Sequence, residues 1–455
     1  MKQVFTIFFL ILFNVSFGQM PNKLTKAEKI YGLSKFWQEV NYNFVYLNKI
    51  DRNAWDEMYQ RLITEVQETP NDYEYYRLLQ KFCATLKDGH TNVNFPKEIQ
   101  ENIYNTYFGD YRLFLTNIDS KAIVTRVNLS KKNEIPIGTE IVKVNGMHTQ
   151  QYIDKFVKPY ISSSTDYIVE DNCISGLLKA PKGTSFDIEF KMPNGKIKSL
   201  QLTHTESTEK EVYPAYDDGI LMDFKWLGND IAYVSLNSFG NPKIDSLFIE
   251  KLPELYKAKK LIIDLRKNGG GNTNIGREIL EYLTNDKKLY GSKNFSRLHI
   301  PSFKAWGKWT EVKDTIGDDF SKQAYLSFQD NYFHEFEYEP INVELKAKRL
   351  VVPTVILIGH QTASAAEDFL VYADNQKHMT KMGEATYGST GQPMIFDLPK
   401  GGSARVCTKK DTYPDGKEFV GYGIQPDIEV KVTLKDYMEN NDPVLKKAIA
   451  YLNKK

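Results

Sequence analysis

Three short stretches hold residues whose types and spacing suit nucleophilic chemistry. In "VILIGHQTASAAEDFLVYADN" (355–375) an apolar run ends at Gly359, and one serine, Ser364, stands among small residues where a helix-like pattern begins. Small neighbours leave its hydroxyl uncovered, and the N–H of Ala365 at a helix start favours a developing negative charge. Serine at such a boundary is more commonly a helix N-cap, and that alternative stands beside the first. In "DLRKNGGGNTN" (264–274) Gly269, Gly270 and Gly271 join a strand pattern to a helical one. Such glycines let backbone N–H groups approach a ligand closely. Phosphate-cradle spacings fail, since no Lys-Ser/Thr follows and Asn274 takes the last glycine position of GxGxxG. N–H donors aimed at an oxyanion use the same physics; a flexible turn is the plain alternative.

A serine nucleophile needs a base, and the chain has 7 histidines. In "KDGHT", His90 follows the helix-breaking Asp88-Gly89 on a polar turn, where functional residues concentrate. His360 lies close before Ser364, but a strand end and a helix start point in different directions. His148, His204, His299, His334 and His378 have no chemical neighbours in sequence and default to surface or structural roles.

The elements that must position these residues fall into three regions. Residues 24–100 read as a helical bundle ending in the His90 turn. Ile30, Leu33, Phe36/Trp37, Val40 and Phe44 recur at helical spacing, and a second set runs from Trp55 to Val66. A third helix follows Asn71, with Glu74 at capping-box distance. Residues 105–205 read as a small β-domain of short strands, among them "YRLFLTN", "KAIVTRV" and "SFDIEFKM". Residues 215–455 alternate strand and helix, with near-continuous apolar strands such as "KLIIDLR" and "VVPTVILIG". That pattern predicts a mainly parallel sheet covered by helices, with ligands beyond the strands' carboxyl ends. The rule points to the glycine turn and the Ser364 turn.

Composition narrows the function classes. Across 455 residues Lys+Arg (59) balance Asp+Glu (58), so charge gives no nucleic-acid or anionic-membrane surface. "MKQVFTIFFLILFNVSFGQ" has a cation, an apolar stretch and small residues in signal-peptide order, so residues 1–18 read as a cleaved export leader with no stable membrane insertion afterwards. Cys83, Cys173 and Cys407 are far apart and odd in number, which argues against a disulfide framework or a zinc site.

Together these motifs resemble the C-terminal processing (tail-specific) serine peptidases, in the branch of the tricorn core protease and interphotoreceptor retinoid-binding protein. "TASAAE" resembles the nucleophile motif, "DLRKNGGG" the DxRxNxGG turn, "GEATYGSTG" the ExTxGKG segment and "GYGIQPDIEV" the GxxPD segment; "IPIGTEIVKVNG" looks like the PDZ stretch. The resemblance implies a multidomain α+β and α/β protein: helical bundle, PDZ-like β domain and ClpP/crotonase-like α/β catalytic domain. It implies Ser364 as nucleophile, with N–H groups of Gly270, then Gly271, and of Ala365 as oxyanion hole. Ser389 stands where the Ser–Lys branch has its lysine base, and a serine cannot replace a lysine whose pKa is lowered by desolvation. The tricorn-like branch uses a histidine late in the helical region, which here is His90; Gly89 replaces the serine that precedes it there. A late glutamate completes that set, and Glu418 is the nearest candidate. The expected function is a secreted serine endopeptidase acting on polypeptides without metal or organic cofactor. The competing expectations are a non-catalytic peptide- or lipid-binding protein on the same scaffold, and an esterase or amidase.

Overall fold

The computed structural model describes residues 23–216, 219–228 and 230–455; the expected leader, residues 1–18, lies outside them. Among the described residues no helix is long and apolar enough to cross a membrane. The fold is mixed α+β.

Helices Lys26–Asn43, Arg52–Glu65 and Asp72–Ala84 each begin on a side-chain cap: Thr25, Asp51 and Asn71 accept from the N–H groups of Glu28, Ala54 and Glu74. These bonds satisfy donors that a helix start leaves open. Trp55 stacks on Phe82 with ring centroids 3.7 Å apart. The apolar faces do not close on one another alone. Leu33, Phe36, Trp55 and Phe82 belong to one continuous core with Leu236, Ile263, Phe369 and Val406 of the C-terminal region. Residues 108–202, by contrast, enclose a separate core around Val124, Ile141, Ile188 and Phe190. There the strands Ile197–Thr203, Ser185–Lys191, Glu140–Val144, Lys121–Asn128 and Tyr111–Ile118 lie side by side in that order, each pair antiparallel.

The C-terminal region is built on a six-stranded sheet. Strands Ile231–Leu236, Lys260–Asp264, Thr354–Ile358, Met379–Gly383 and Ile428–Glu429 run parallel, and Met222–Leu227 pairs antiparallel at one edge. Side chains alternate across a strand, and here both faces are buried. Leu261, Ile263, Ile356 and Ile358 face the large core, while Ile262, Val355 and Leu357 face Val444, Ala448 and Leu452 of helix Pro443–Leu452. That two-sided burial is why the strands read as unbroken apolar runs.

One ladder joins the strand-like stretch after His90 to a partner far away in the chain. Strand Asn92–Asn94 pairs antiparallel with Ser403–Cys407, which pairs with Pro393–Asp397. It fastens the end of the helical region, immediately after His90, to the C-terminal region. Helices Pro301–Gly307 and Asp319–Phe328 went unforeseen. Their large apolar residues are not confined to a buried stripe: Trp306 and Phe320 are exposed, and in the connection between them so are Trp309 and Ile316.

Candidate active site

Ser364 sits at the sharp turn between strand Thr354–Ile358 and helix Ala365–Ala373, with φ 55° and ψ −122°. The ordinary N-caps of this chain are extended, as at Thr25 with φ −70° and ψ 158°. A non-glycine residue held in this left-handed region costs about 1–3 kcal/mol and persists only where its surroundings impose it. The surroundings are specific. Thr362 Oγ1 donates to Leu265 O (2.9 Å) and accepts from Gly359 N–H (3.1 Å). Ala363 N–H donates to Asn268 O (3.0 Å), and Asn268 Nδ2 anchors on Leu236 O (2.8 Å). The serine turn and the glycine turn are thus bonded to each other. Arg266 fixes the strand end, holding Asp264 (2.6 Å) and Asp442 (2.8 Å).

Gly270 faces the nucleophile. A Cβ there would lie 2.7 Å from Ser364 Cβ and 2.9 Å from Ala365 N, and φ is 97°, so only glycine fits. Its N–H, the first expected oxyanion donor, donates to Asn268 Oδ1 at 2.9 Å. Gly271, the second, lines the cleft beside Ser364. The bonds Phe239 N–H to Gly270 O (3.0 Å) and Asn272 N–H to Phe239 O (2.9 Å) do not use its N–H. Ala365 N–H, at the start of a helix buried along its whole length, has no acceptor among the described residues.

His90 and Ser364 line one cleft of about 1420 Å³, together with Gly269, His360, Arg405 and residues 115–120 of the middle region. The His90 Nδ1 lies 2.6 Å from Ser389 Oγ. Burial, then the nearby Arg405 cation, pushes the His90 imidazole down to about 4 from its ordinary 6.5, so it is neutral at physiological pH. Ser389, read in the sequence only as a lost lysine, is therefore the partner of the candidate base. The glycine before His90 makes room for it. A Cβ on Gly89 would stand 2.8 Å from Tyr387 Cε1 and 3.0 Å from Ser389 Oγ. A serine at position 89 would force Tyr387 and Ser389 to shift. The turn is held by Asp88, buried and pushed up to about 6 chiefly by burial, which accepts from Thr91 Oγ1 at 2.6 Å. Gly89 N–H donates to Ser164 Oγ at 2.9 Å.

Glu418 lies elsewhere. Its carboxylate is taken up by Lys49 (2.8 Å) and Lys410, and it does not line the cleft. Its partners are both cations, and its pKa is lowered: burial opposes this, but Lys410 and Lys49 prevail. A second histidine does line the cleft. His360 Nδ1 lies 2.6 Å from Asp171 Oδ2, and its ring stacks on Tyr167 at 4.6 Å. Burial lowers its basicity, but the bond to Asp171 outweighs burial and raises its pKa above 6.5. Among the described residues no group of three or more His, Cys, Asp or Glu side chains is arranged to hold a metal ion.

A strained serine at a strand–helix turn against a glycine turn has the geometry of a nucleophile elbow. The fold is shared with mature CPAF, solved in complex with lactacystin: the TM-score is 0.66 at 15% identity, over 94% of this chain and 99% of that one. Residues 230–430, which carry the glycine turn, Ser364 and Ser389, match the model of Peptidase family S41. His90 lies outside the matched segment. A carboxyl-terminal-processing protease of Synechocystis is 20% identical over 433 residues, covering 94% of this chain and 86% of the relative. Another, of Picosynechococcus, is 24% identical over 254 residues, so this chain spans 50% of that relative's length.

Proposed function

We propose that the protein is an exported serine peptidase of the His-base kind, in which Ser364 forms an acyl-enzyme and His90 is the general base. The observation that carries this reading is the meeting of His90 and Ser364 on one cleft from opposite ends of the chain, His90 held by Ser389 and Ser364 by a strained backbone. A neutral imidazole accepts the serine proton as the hydroxyl attacks the scissile carbonyl, and then returns it to the leaving amine; water releases the acyl group. The oxyanion is held by the N–H groups of Ala365 and Gly271. Export is supported by the leader-like residues 1–18.

A polypeptide substrate is supported by cleft size and by the strand that borders it. The cleft exceeds the roughly 300–1,000 Å³ of small-molecule sites. Strand Tyr111–Ile118 pairs with Lys121–Asn128 on one edge, while its other edge is bonded only over Tyr111–Leu113 among the described residues. Leu115–Ile118 line the cleft, so an extended chain can add to this edge by main-chain hydrogen bonds.

His360 supports a second reading of the base, because its tie to Asp171 reproduces an imidazole–carboxylate pair. A fluorophosphonate probe decides between them. Labelling is expected in the wild type and abolished in Ser364→Ala. Severe slowing in His90→Ala with little change in His360→Ala supports His90, and the reverse moves the base to His360. A folded protein that takes no label is a binding protein rather than an enzyme. Turnover of peptides against simple esters separates a peptidase from an esterase.

A further inference from the structure

Behind the nucleophile lies a carboxylate that the mechanism does not yet use. Glu367 is fully buried on the first turn of the Ser364 helix. Its Oε2 accepts from the N–H groups of Ser364 (3.0 Å) and Ser389 (3.2 Å). Its Oε1 accepts from Thr386 Oγ1 (2.5 Å) and Gly388 N–H (2.8 Å). A capping box explains only the bond to Ser364. The other three donors come from the loop 386–389, which a helix cap does not require. Ser389 in turn meets His90 Nδ1 at 2.6 Å. One oxygen of Glu367 therefore sits between the strained backbone of the nucleophile and the residue that holds the base.

We propose that Glu367 is a positioning residue that keeps Ser364 and His90 in register, through the path Ser364 N–H, Glu367 Oε2, Ser389 and His90 Nδ1. This rests on the reading of His90 as the base. Four donors and no acceptor face the two oxygens, which matches the ionised carboxylate. Burial opposes that form and pushes Glu367 up to about 7. The titratable groups whose own values its charge raises are Tyr167, from the middle region, and Tyr413. Both are phenols, neutral across the pH range of the test. The geometry thus places a buried carboxyl between nucleophile and base.

The test is the rate of fluorophosphonate labelling. Glu367→Gln presents an N–H₂ to two of the four donors and is expected to slow labelling at least about 50-fold. In a His90→Ala background the same substitution is expected to cost less than about threefold, because register matters only when the base is present. Wild-type labelling should rise with pH through the neutral range, and Glu367→Gln should lack that step, which a purely structural carboxylate would not produce. Thr386→Val, isosteric, removes the bond to Glu367 and the one accepted from Ile424 N–H (2.7 Å); it should slow labelling about fivefold and carries the test if Glu367→Gln does not fold. Wild-type rates in the folded variants, or equal losses with and without His90, overturn the proposal. If His90→Ala itself labels at the wild-type rate, the base reading fails and the path with it. If His90→Ala is slow and the Glu367 and Thr386 variants are not, the base stands and the path alone falls.

Discussion

Two histidine turns border the same cleft, and they are built in opposite ways. His90 is half-buried beside a hydroxyl and a cation, and its imidazole is driven towards the neutral form. His360 is held by the Asp171 carboxylate and is driven towards the charged form. Position alone does not choose a base; the partner does. A neutral ring can accept the serine proton, whereas His360, drawn towards protonation by Asp171, ties the Ser364 turn to the middle region. The pair teaches that burial and a nearby cation keep one ring neutral, whereas a carboxylate partner makes the other more basic and favours its protonated form.

The comparison breaks most directly if the two rings are removed in turn. His90→Ala is expected to slow labelling of Ser364 by about 10²–10⁴, the usual worth of general-base catalysis, while His360→Ala stays within about threefold. Equal losses would erase the distinction. A smaller effect sharpens it: Ser389→Ala removes one neutral hydrogen bond to His90, worth about 1 kcal/mol, and should slow labelling by up to about tenfold. The same substitution should leave the NMR titration of His360 unmoved.

The smallest effect is on stability, and its sign differs between the two turns. His90 has a folded pKa of about 4, below its unfolded 6.5, so between these values the unfolded chain binds the extra proton and stability falls as pH drops. His360 has a raised folded pKa, so its contribution is fully present below about 6.5 and is lost as pH rises through the folded value. Thermal melts against pH should show that His90→Ala relieves part of the acid-side loss. Asp171→Asn should flatten the alkaline-side loss, by no more than about 1 kcal/mol for a partly exposed pair.

Much of this architecture was legible in the sequence because local patterns carry it. The parallel strands announce themselves as apolar runs such as "KLIID" and "TVILI", and the glycine and serine turns follow at their ends. Asn71, with Glu74 at capping-box distance, names the start of its helix. What was not legible depends on pairs far apart in the chain. Ser389 looked like a loss because the sequence shows the missing lysine and not the imidazole 299 positions away. Asp171 and His360 lie 189 positions apart, and neither has a neighbour that names the other. Glu418 has the right residue type near the right segment, but two lysines claim it. The shared core of the helical and C-terminal regions was also hidden, since an amphipathic helix shows that it has a partner and not which one.

The ladder of Asn92–Asn94 on Ser403–Cys407 has a temporal meaning. A chain synthesised or translocated only as far as residue 400 already contains the histidine, the glycine turn and the serine, but lacks the strand that seats His90. A cut that removes the segment beyond that point leaves the same set of groups without their frame. On the proposed mechanism, competence therefore arrives only once that strand is in place, after the residues that would act as nucleophile and base have already been made.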